Sequence, residues 1–256
     1  MPSNRTSFLG LPLDSLTREQ SLLACEQAIA DRGRVHTDLN AANVLLALEN
    51  RSMRAAIETS EIVNADGQSV VWCGRLLGAP VPERVSGIDL MSDLLSIAPE
   101  RRYSVFLLGA APEVNSRVGE ILRARGVTVV GQRHGYWKEG DEASVVEEIA
   151  NAAPDLLFLA MPSPKKETFV YYHLDALNVG LAFGVGGSFD VIAGVTKRAP
   201  SWMQRAGLEW MYRLAQEPRR LVKRYIVGNA RFLGHVFRAL IRQGRYKSDD
   251  QLDGKR

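Results

Sequence analysis

The sequence predicts an α/β protein with a Rossmann-like parallel sheet, flanking helices and a basic helical C-terminal appendage. Apolar strands alternate with helical patterns through the middle of the 256-residue chain, which is typical of strands joined by crossover helices. We predict an α/β catalytic core over residues 1–195, the appendage over residues 196–246, and a disordered tail over residues 247–256.

The first part of the chain is predicted to be mostly helical. Thr17 and Gln20 have the spacing of a capping box, and the helix that they begin is predicted to end at Gly33. The later elements are a loop over residues 36–40, a helix over 41–50, a short strand over 62–63 and a helix over 70–77.

Three of the four central strands are followed by a turn of small residues or proline. These strands are predicted over residues 103–108, 127–131, 155–160 and 179–183. The three turns, beginning at Gly109, Met161 and Gly184, would lie at one edge of a parallel sheet, where ligands bind. Backbone N–H groups and helix N-termini there favour a diphosphate, although Gly and Pro in any one turn are also explained by tight turning. The glycine spacing does not match a dinucleotide-binding fingerprint.

Positive charge is concentrated in the appendage. Residues 196–247 hold thirteen Lys and Arg against two acidic residues, whereas residues 1–195 hold seventeen against twenty-four. A basic amphipathic helix is predicted here, with an apolar stripe at Ile226, Ala230, Leu233, Phe237, Leu240 and Ile241. We expect the helix to bind a membrane surface, with packing on the body or on another subunit as the alternatives. No aromatic stacking pattern accompanies the charge, so nucleic acid is not an expected partner.

Composition points to the cytoplasm. Residues 1–10 show no signal-peptide pattern, and no apolar run approaches the roughly 20 residues of a membrane span. Cys25 and Cys73 have no metal-site spacing. We expect no cofactor, and a location at the inner face of the cytoplasmic membrane.

Several polar residues beside the predicted turns are candidates for chemistry. Asp66 could accept a proton from a hydroxyl, or form an Asx-turn or helix cap. The same structural alternatives apply to Asp38 and, more strongly, to Asn40. Lys166 and Glu167 could contact a nucleotide or belong to a solvated first helical turn, and Asp190 could bind sugar or ribose hydroxyls or cap a helix.

No Asp-x-Asp motif, the usual signature of metal-dependent sugar transfer, occurs in the chain. We therefore expect no metal site, and arginine could neutralise a departing diphosphate instead. The arginines available in the appendage are Arg213, Arg219, Arg220 and Arg224. A solvated face or a face that binds lipid headgroups explains them equally well.

Several motifs resemble those of the WecG/TagA/CpsF glycosyltransferases (glycosyltransferase family 26), over about residues 35–225. The motifs are Asn64 to Gly67, Pro162 to Glu167, Gly184 to Asp190, Arg198-Ala199-Pro200 and Leu208 to Arg220. The last two are the most specific in combination.

The resemblance implies an inverting, metal-independent transferase with a Rossmann-like fold, acting on polyprenol-diphosphate carriers. It implies that Asp66 is the base and that Arg213, Arg220 and Arg224 belong to a segment that closes over the site and docks on the membrane. The family's Thr-x-Asn motif falls on Asp38 and Asn40, with Thr37 one residue earlier. Lys166 stands where the family's Pro-Lys-Gln-Glu motif has glutamine.

We therefore predict transfer of a glucose- or N-acetylmannosamine-type sugar from a UDP-sugar to a polyprenol-diphosphate-linked saccharide. Further substrate-binding candidates are Gly109, Gly186, Gly187 and Asp190. A non-catalytic nucleotide- or lipid-binding scaffold is the alternative, and whether the protein forms a homo-oligomer is left open.

Overall fold

The computed structural model describes residues 5–138, 140–216 and 227–242. Its strands are β1 Arg5–Phe8, β2 Leu11–Asp14, β3 Arg34–Leu39, β4 Ile62–Ala65, β5 Ser104–Gly109, β6 Thr128–Arg133, β7 Leu156–Ala160 and β8 Leu181–Gly184. Its helices are α1 Arg18–Asp31, α2 Ala41–Glu49, α3 Arg51–Glu58, α4 Gln68–Leu76, α5 Gly87–Arg101, α6 Pro112–Ala124, α7 Glu142–Ala152, α8 Lys165–Leu177, α9 Ser188–Ile192, α10 Ser201–Arg205 and α11 Glu209–Gln216. Residues 227–242 are also helical and are called the C-terminal helix below.

Six strands form one sheet in the order β4-β3-β8-β7-β5-β6, and every neighbouring pair is parallel. Successive residues of a strand face opposite sides of a sheet. In β5, Val105 and Leu107 accordingly pack under α1, α5 and α6, whereas Phe106 and Leu108 pack under α7 and α8. The predicted α/β class and parallel sheet are confirmed.

Residues 36–40 were predicted to be a loop, and this prediction was wrong. Residues 34–39 form β3, which lies between β4 and β8 inside the sheet. The strand does not show an apolar pattern in the sequence, because His36, Thr37 and Asp38 are three consecutive polar residues. All three are buried.

An N-terminal hairpin of β1 and β2 packs beside the main sheet and was not predicted. Its anchor is Asp14, which is 1% exposed. The Asp14 carboxylate accepts hydrogen bonds from Arg5 Nε at 2.7 Å, from Arg5 Nη2 at 2.9 Å and from the backbone N–H of Val63 at 2.7 Å. The hairpin is thus bonded to β4 at a point three residues before Asp66.

The C-terminal helix packs on the body through Phe232 and Val236, which are both buried. The Phe232 ring centroid lies 6.1 Å from that of Phe8 in β1. Three residues of the predicted apolar stripe, Leu233, Phe237 and Ile241, are instead exposed. The apolar surface of this helix is therefore wider than the predicted stripe, and only one side of it faces the body.

None of the described helices combines the length and the apolar character that crossing a membrane requires. The division of the chain at residue 195 stays a prediction. The predicted tail, residues 247–256, lies outside the described residues.

We expect Asp14→Ala to lower the free energy of unfolding by about 2–3 kcal/mol, because the backbone N–H of Val63 and the Arg5 guanidinium lose their shared acceptor. Urea denaturation followed by circular dichroism measures the change. Glu58→Ala is the control, since Glu58 pairs with Arg54 on the exposed surface of one helix and should cost no more than about 0.5 kcal/mol. Equal stability of the two variants would contradict this account.

Candidate active site

A cleft of about 450 Å³ opens at the carboxyl edge of β3, β4 and β8. The appendage supplies its opposite wall through Glu209, Trp210 and the C-terminal helix. The lining residues from the core are Asn40, Ala41, Ala42, Asp66, Gly67, Gln68, Ser69, Trp72, Cys73, Arg84, Ser86, Gly87, Ile88, Val185, Gly187 and Ser188. Backbone, carboxylate, guanidinium and aromatic groups thus face one cavity large enough for a sugar nucleotide or part of one.

Asn40 and Asp66 are held together by the pairing of β3 with β4. The backbone N–H of Asp66 donates to Leu39 O at 2.9 Å, directly before Asn40. The Asn40 side-chain oxygen accepts from the N–H groups of Ala42 and Asn43, both at 3.1 Å, so Asn40 caps α2 as the structural alternative predicted. A Cβ on Gly67 would lie 3.3 Å from Asn40 Cα, which is a tight contact, so glycine eases the close approach of the two strand ends.

Asp66 is partly buried and lies on the cleft wall. It does not occupy the N-cap position of α4, which belongs to Gly67. The backbone N–H of Asp66 is held by Leu39 O, and the residue borders the cleft. These are the requirements for a base that takes a proton from a bound hydroxyl.

Behind Asp66, β3 buries Asp38, which was predicted to be an Asx-turn or cap if it had no functional role. Asp38 is 8% exposed, and it lies in the strand opposite Asn64. Burial, reinforced by the nearby charge of Asp66, raises the pKa of Asp38 well above its ordinary value. A Cβ on Gly87, the first residue of α5, would overlap Asp38 Oδ2, so a larger residue here would require the Asp38 side chain to move.

His36 lies two residues earlier on the same side of β3. Its Nε2 lies 2.8 Å from Asn64 Oδ1, and Asn64 Nδ2 donates to Ser21 Oγ at 2.9 Å. Because the amide nitrogen is already a donor to Ser21, Asn64 Oδ1 accepts and His36 Nε2 carries the proton. Burial lowers the pKa of His36 to about 4, so this ring is neutral at physiological pH.

Lys166 and Glu167 were predicted to be either nucleotide contacts or a solvated helical turn, and the solvated alternative was wrong. They are 8% and 7% exposed and form an ion pair with each other. Ser163 Oγ donates to Glu167 Oε1 at 2.7 Å. The Lys166 stem crosses Gly184, where a Cβ would lie 2.9 Å from Lys166 Cδ. Lys165, by contrast, is exposed, with its Nζ 4.0 Å from the centre of the Trp137 ring.

Thr37 faces the opposite side of the sheet from Asp38. Its hydroxyl lies 2.8 Å from Ser60 Oγ, which donates to Ala56 O at 2.7 Å. Thr37, Lys166 and Glu167 border a separate small cavity of about 20 Å³, which has room for one water molecule. These three residues therefore lie beside the cleft but do not line it.

The glycine turns share one sheet edge, as predicted, but only part of them reaches the cleft. Gly187 lines it, and Gly186, with φ +52°, precedes it in the same turn. Gly109, with φ +113°, ends β5, which is four strands from β4 and so about 19 Å away. Asp190 lies in the first turn of α9, just after Gly187.

Arg84 was missed by sequence reasoning, and it is a guanidinium on the cleft wall. It contacts Glu209 Oε2 through two nitrogens, both at 3.2 Å. Arg198 of the Arg-Ala-Pro motif lies nearby and pairs with Asp89 at 2.6 and 2.8 Å. These pairs join the appendage to the core. The only available signal for Arg84 was its position before Ser86-Gly87, at the start of α5.

The arginines predicted from the appendage cannot be assigned to the cleft. Arg213 lies in α11, but the structure does not describe its side chain. Arg220 and Arg224 lie outside the described residues. Among the described residues, no three His, Cys, Asp or Glu side chains form a group that could hold a metal ion.

Comparison with known proteins agrees with this architecture. The model of the glycosyl transferase WecG/TagA/CpsF family matches residues 6–246. An N-acetylglucosaminyldiphosphoundecaprenol N-acetyl-beta-D-mannosaminyltransferase from Bacillus spizizenii strain W23 is 33% identical over 221 residues, which is 86% of this chain and 84% of the relative. The protein of the same name from Bacillus subtilis strain 168 is 33% identical over 188 residues, 73% of each chain. The chain thus belongs to the WecG/TagA/CpsF family of glycosyltransferases.

Proposed function

We propose that this chain is an inverting, metal-independent transferase that moves a sugar from a UDP-sugar to a polyprenol-diphosphate-linked saccharide. The product would belong to exopolysaccharide or cell-surface polymer synthesis. The observation that carries the proposal is the cleft of about 450 Å³ that Asp66 and Arg84 both line. The two relatives from Bacillus are named as enzymes that transfer N-acetylmannosamine to a diphosphoundecaprenol-linked sugar, which supports the acceptor class.

In the proposed reaction, an acceptor hydroxyl attacks the anomeric carbon of the donor on the face opposite UDP. The new glycosidic bond forms as the bond from that carbon to the β-phosphate oxygen breaks, and its electron pair leaves with UDP. The Asp66 carboxylate takes the hydroxyl proton. A single displacement of this kind inverts the configuration of the anomeric carbon.

The departing diphosphate gains negative charge, and a guanidinium is well suited to neutralise it. Arg84 is the described arginine on the cleft wall. Its partner Glu209 holds it in place and competes for it, so a bound diphosphate would share Arg84 with Glu209. We retain Arg213, Arg220 and Arg224 as further candidates for the same task.

We propose that the nucleotide lies along the carboxyl edge of the sheet. The diphosphate would bind near Gly186 and Gly187, whose turn precedes the short helix α9, with Asp190 available to hydroxyl groups. The nucleoside would extend toward Gly109 at the end of β5. Five further residues would act at the sugar end of the donor. Asn40 would do so from the cleft. The others would act from behind its wall: Asp38, Thr37, Lys166 and Glu167.

The acceptor's lipid stays in the bilayer, so the cleft must open close to the membrane. Exposed apolar side chains surround its mouth: Trp72 is 59% exposed, Trp210 42% and Leu233 55%. Phe237 and Ile241 continue this apolar surface along the C-terminal helix, next to the exposed Arg238 and Arg242. We propose peripheral binding at the inner face of the cytoplasmic membrane through this surface.

The proposed activity can be tested with a panel of UDP-sugars and a short-chain prenyl-diphosphate N-acetylglucosamine acceptor. We expect turnover with a glucose- or N-acetylmannosamine-type donor in the presence of a metal chelator. Mass spectrometry of the lipid product identifies the sugar transferred. Binding of UDP without turnover of any donor would favour the scaffold alternative instead.

We expect Asp66→Asn to lower kcat by roughly 10²–10⁴-fold, because the amide cannot accept the hydroxyl proton. Initial rates with saturating donor and acceptor measure the loss. Asp175→Asn, an exposed carboxylate on α8, is the matched control and should leave the rate unchanged. Wild-type turnover by a correctly folded Asp66→Asn variant would remove Asp66 from this role.

We expect Leu233→Glu combined with Phe237→Glu to abolish binding to vesicles that contain anionic lipid, since two apolar contacts are replaced by charges that the membrane repels. Flotation through a sucrose gradient measures binding. Leu23→Glu, at a site 60% exposed on α1, controls for surface charge in general. Equal flotation of the double variant and wild type would rule out this surface as the membrane contact.

A further inference from the structure

We propose that Asp38 is a positioning residue for the transfer reaction: a carboxyl that keeps its proton behind Asp66 and leaves the negative charge of the pair on Asp66. The inference rests on the proposed function, in which Asp66 is the base. It assigns Asp38 a protonation state and a role in keeping Asp66 ionised, which a general substrate-binding role does not.

The topology puts the two carboxyls at neighbouring strand ends. Asp38 belongs to β3, opposite Asn64 of β4, and Asp66 follows β4 directly. The hydrogen bond from the Asp66 N–H to Leu39 O fixes their separation along the edge. The Asp38 side chain is 10% exposed, whereas Asp66 borders the cleft. One carboxyl is therefore buried behind the other.

The charges that act on Asp38 are mostly negative. Asp66 of the β4 end and Glu167 of α8 both act on Asp38 as negative charges, and Lys166 of α8 is the positive charge that acts on it. Lys166 is already in direct contact with Glu167, which also accepts from Ser163. An ionised Asp38 would place a second negative charge close to Asp66, at a position that is itself buried.

Asp38 also lacks a cationic partner of its own. Among the described residues, the basic group within 4 Å is His36, with Nε2 3.7 Å from Asp38 Oδ1. His36 is neutral because it is buried, and its Nε2 proton points to Asn64. Asp38 Oδ1 is buried and has no hydrogen-bond partner among the described residues. On the other side, Asp38 Oδ2 abuts Gly87. Burial without a described cation in contact favours the neutral carboxyl, and the raised pKa of Asp38 agrees with it.

A negative charge on Asp38 would make Asp66 a poorer base. A second carboxylate next to Asp66 would raise the pKa of Asp66 and leave it protonated when it has to accept a proton. A neutral Asp38 avoids this repulsion. Asn is close in shape to a neutral carboxyl, so Asp38→Asn is the informative substitution.

The test is the pH dependence of kcat/KM from about pH 5 to about pH 9. We expect Asp38→Asn to keep kcat/KM within about threefold of wild type and to leave the acid limb, which reports Asp66, where it was. Asp38→Ala should lower kcat/KM roughly tenfold to a hundredfold, since it removes the buried carboxyl and leaves a void. Asp175→Asn again serves as the surface control. If Asp38 were ionised, Asp38→Asn would remove a neighbouring negative charge and move the acid limb to lower pH, and that result would overturn the proposal.

A second readout does not depend on turnover. In protein labelled at the aspartate carboxyl carbon, NMR during a pH titration reports the protonation state of each carboxyl. We expect the resonance that is missing from the Asp38→Asn variant to keep the chemical shift of a protonated acid through neutral pH. A normal titration near pH 4 would refute the inference. Failure of the proposed function would appear separately, as wild-type protein that transfers no sugar while Asp38 still holds its proton.

Discussion

The hydrogen bonds between β3 and its parallel neighbours β4 and β8 fix the positions of the polar residues around the cleft. They bring Asp66, Asn40 and the Gly186-Gly187 turn to one edge from stretches of chain that are far apart in sequence. The approach is close because Gly67 and Gly87 leave room where any Cβ would crowd or overlap a neighbour. A shift of one residue in this register would turn Asp38 and Thr37 to the opposite faces of the sheet.

The sequence predicts those strands well that bury apolar side chains on both faces of the sheet. Strands β5, β7 and β8 read as unbroken apolar runs because helices cover both sides of the sheet. β3 does not, since it buries polar residues. His36 and Thr37 are hydrogen-bonded to Asn64 and Ser60, and Asp38 packs against Gly87 at the start of α5. No local pattern reveals such partners, which come from elsewhere in the chain. The hairpin could not be predicted for the same reason, and neither could the hydrogen bond that the Val63 N–H donates to Asp14.

The sequence predicted only some of the residues of the candidate site. The strand-end position of Asp66 made it a candidate, and the resemblance to a known family assigned it the role of base. The burial of Lys166 and Glu167 could not be predicted, because two lysines and a glutamate after a proline turn look like a solvated helix start. Arg84 belongs to no motif that the sequence singled out. It becomes visible only when Glu209, 125 residues later in the chain, is seen to approach it.

Phe232 and Val236 belong to the same core cluster as Phe8, so the C-terminal helix is part of the core as well as a wall of the cleft. Shortening the chain before this helix would therefore uncover apolar residues of the N-terminal hairpin and remove one side of the catalytic chamber in the same step. An inactive truncated protein could owe its inactivity to damaged packing alone. Point substitutions on the outward side of the helix keep that packing intact, and they can separate lipid attachment from folding.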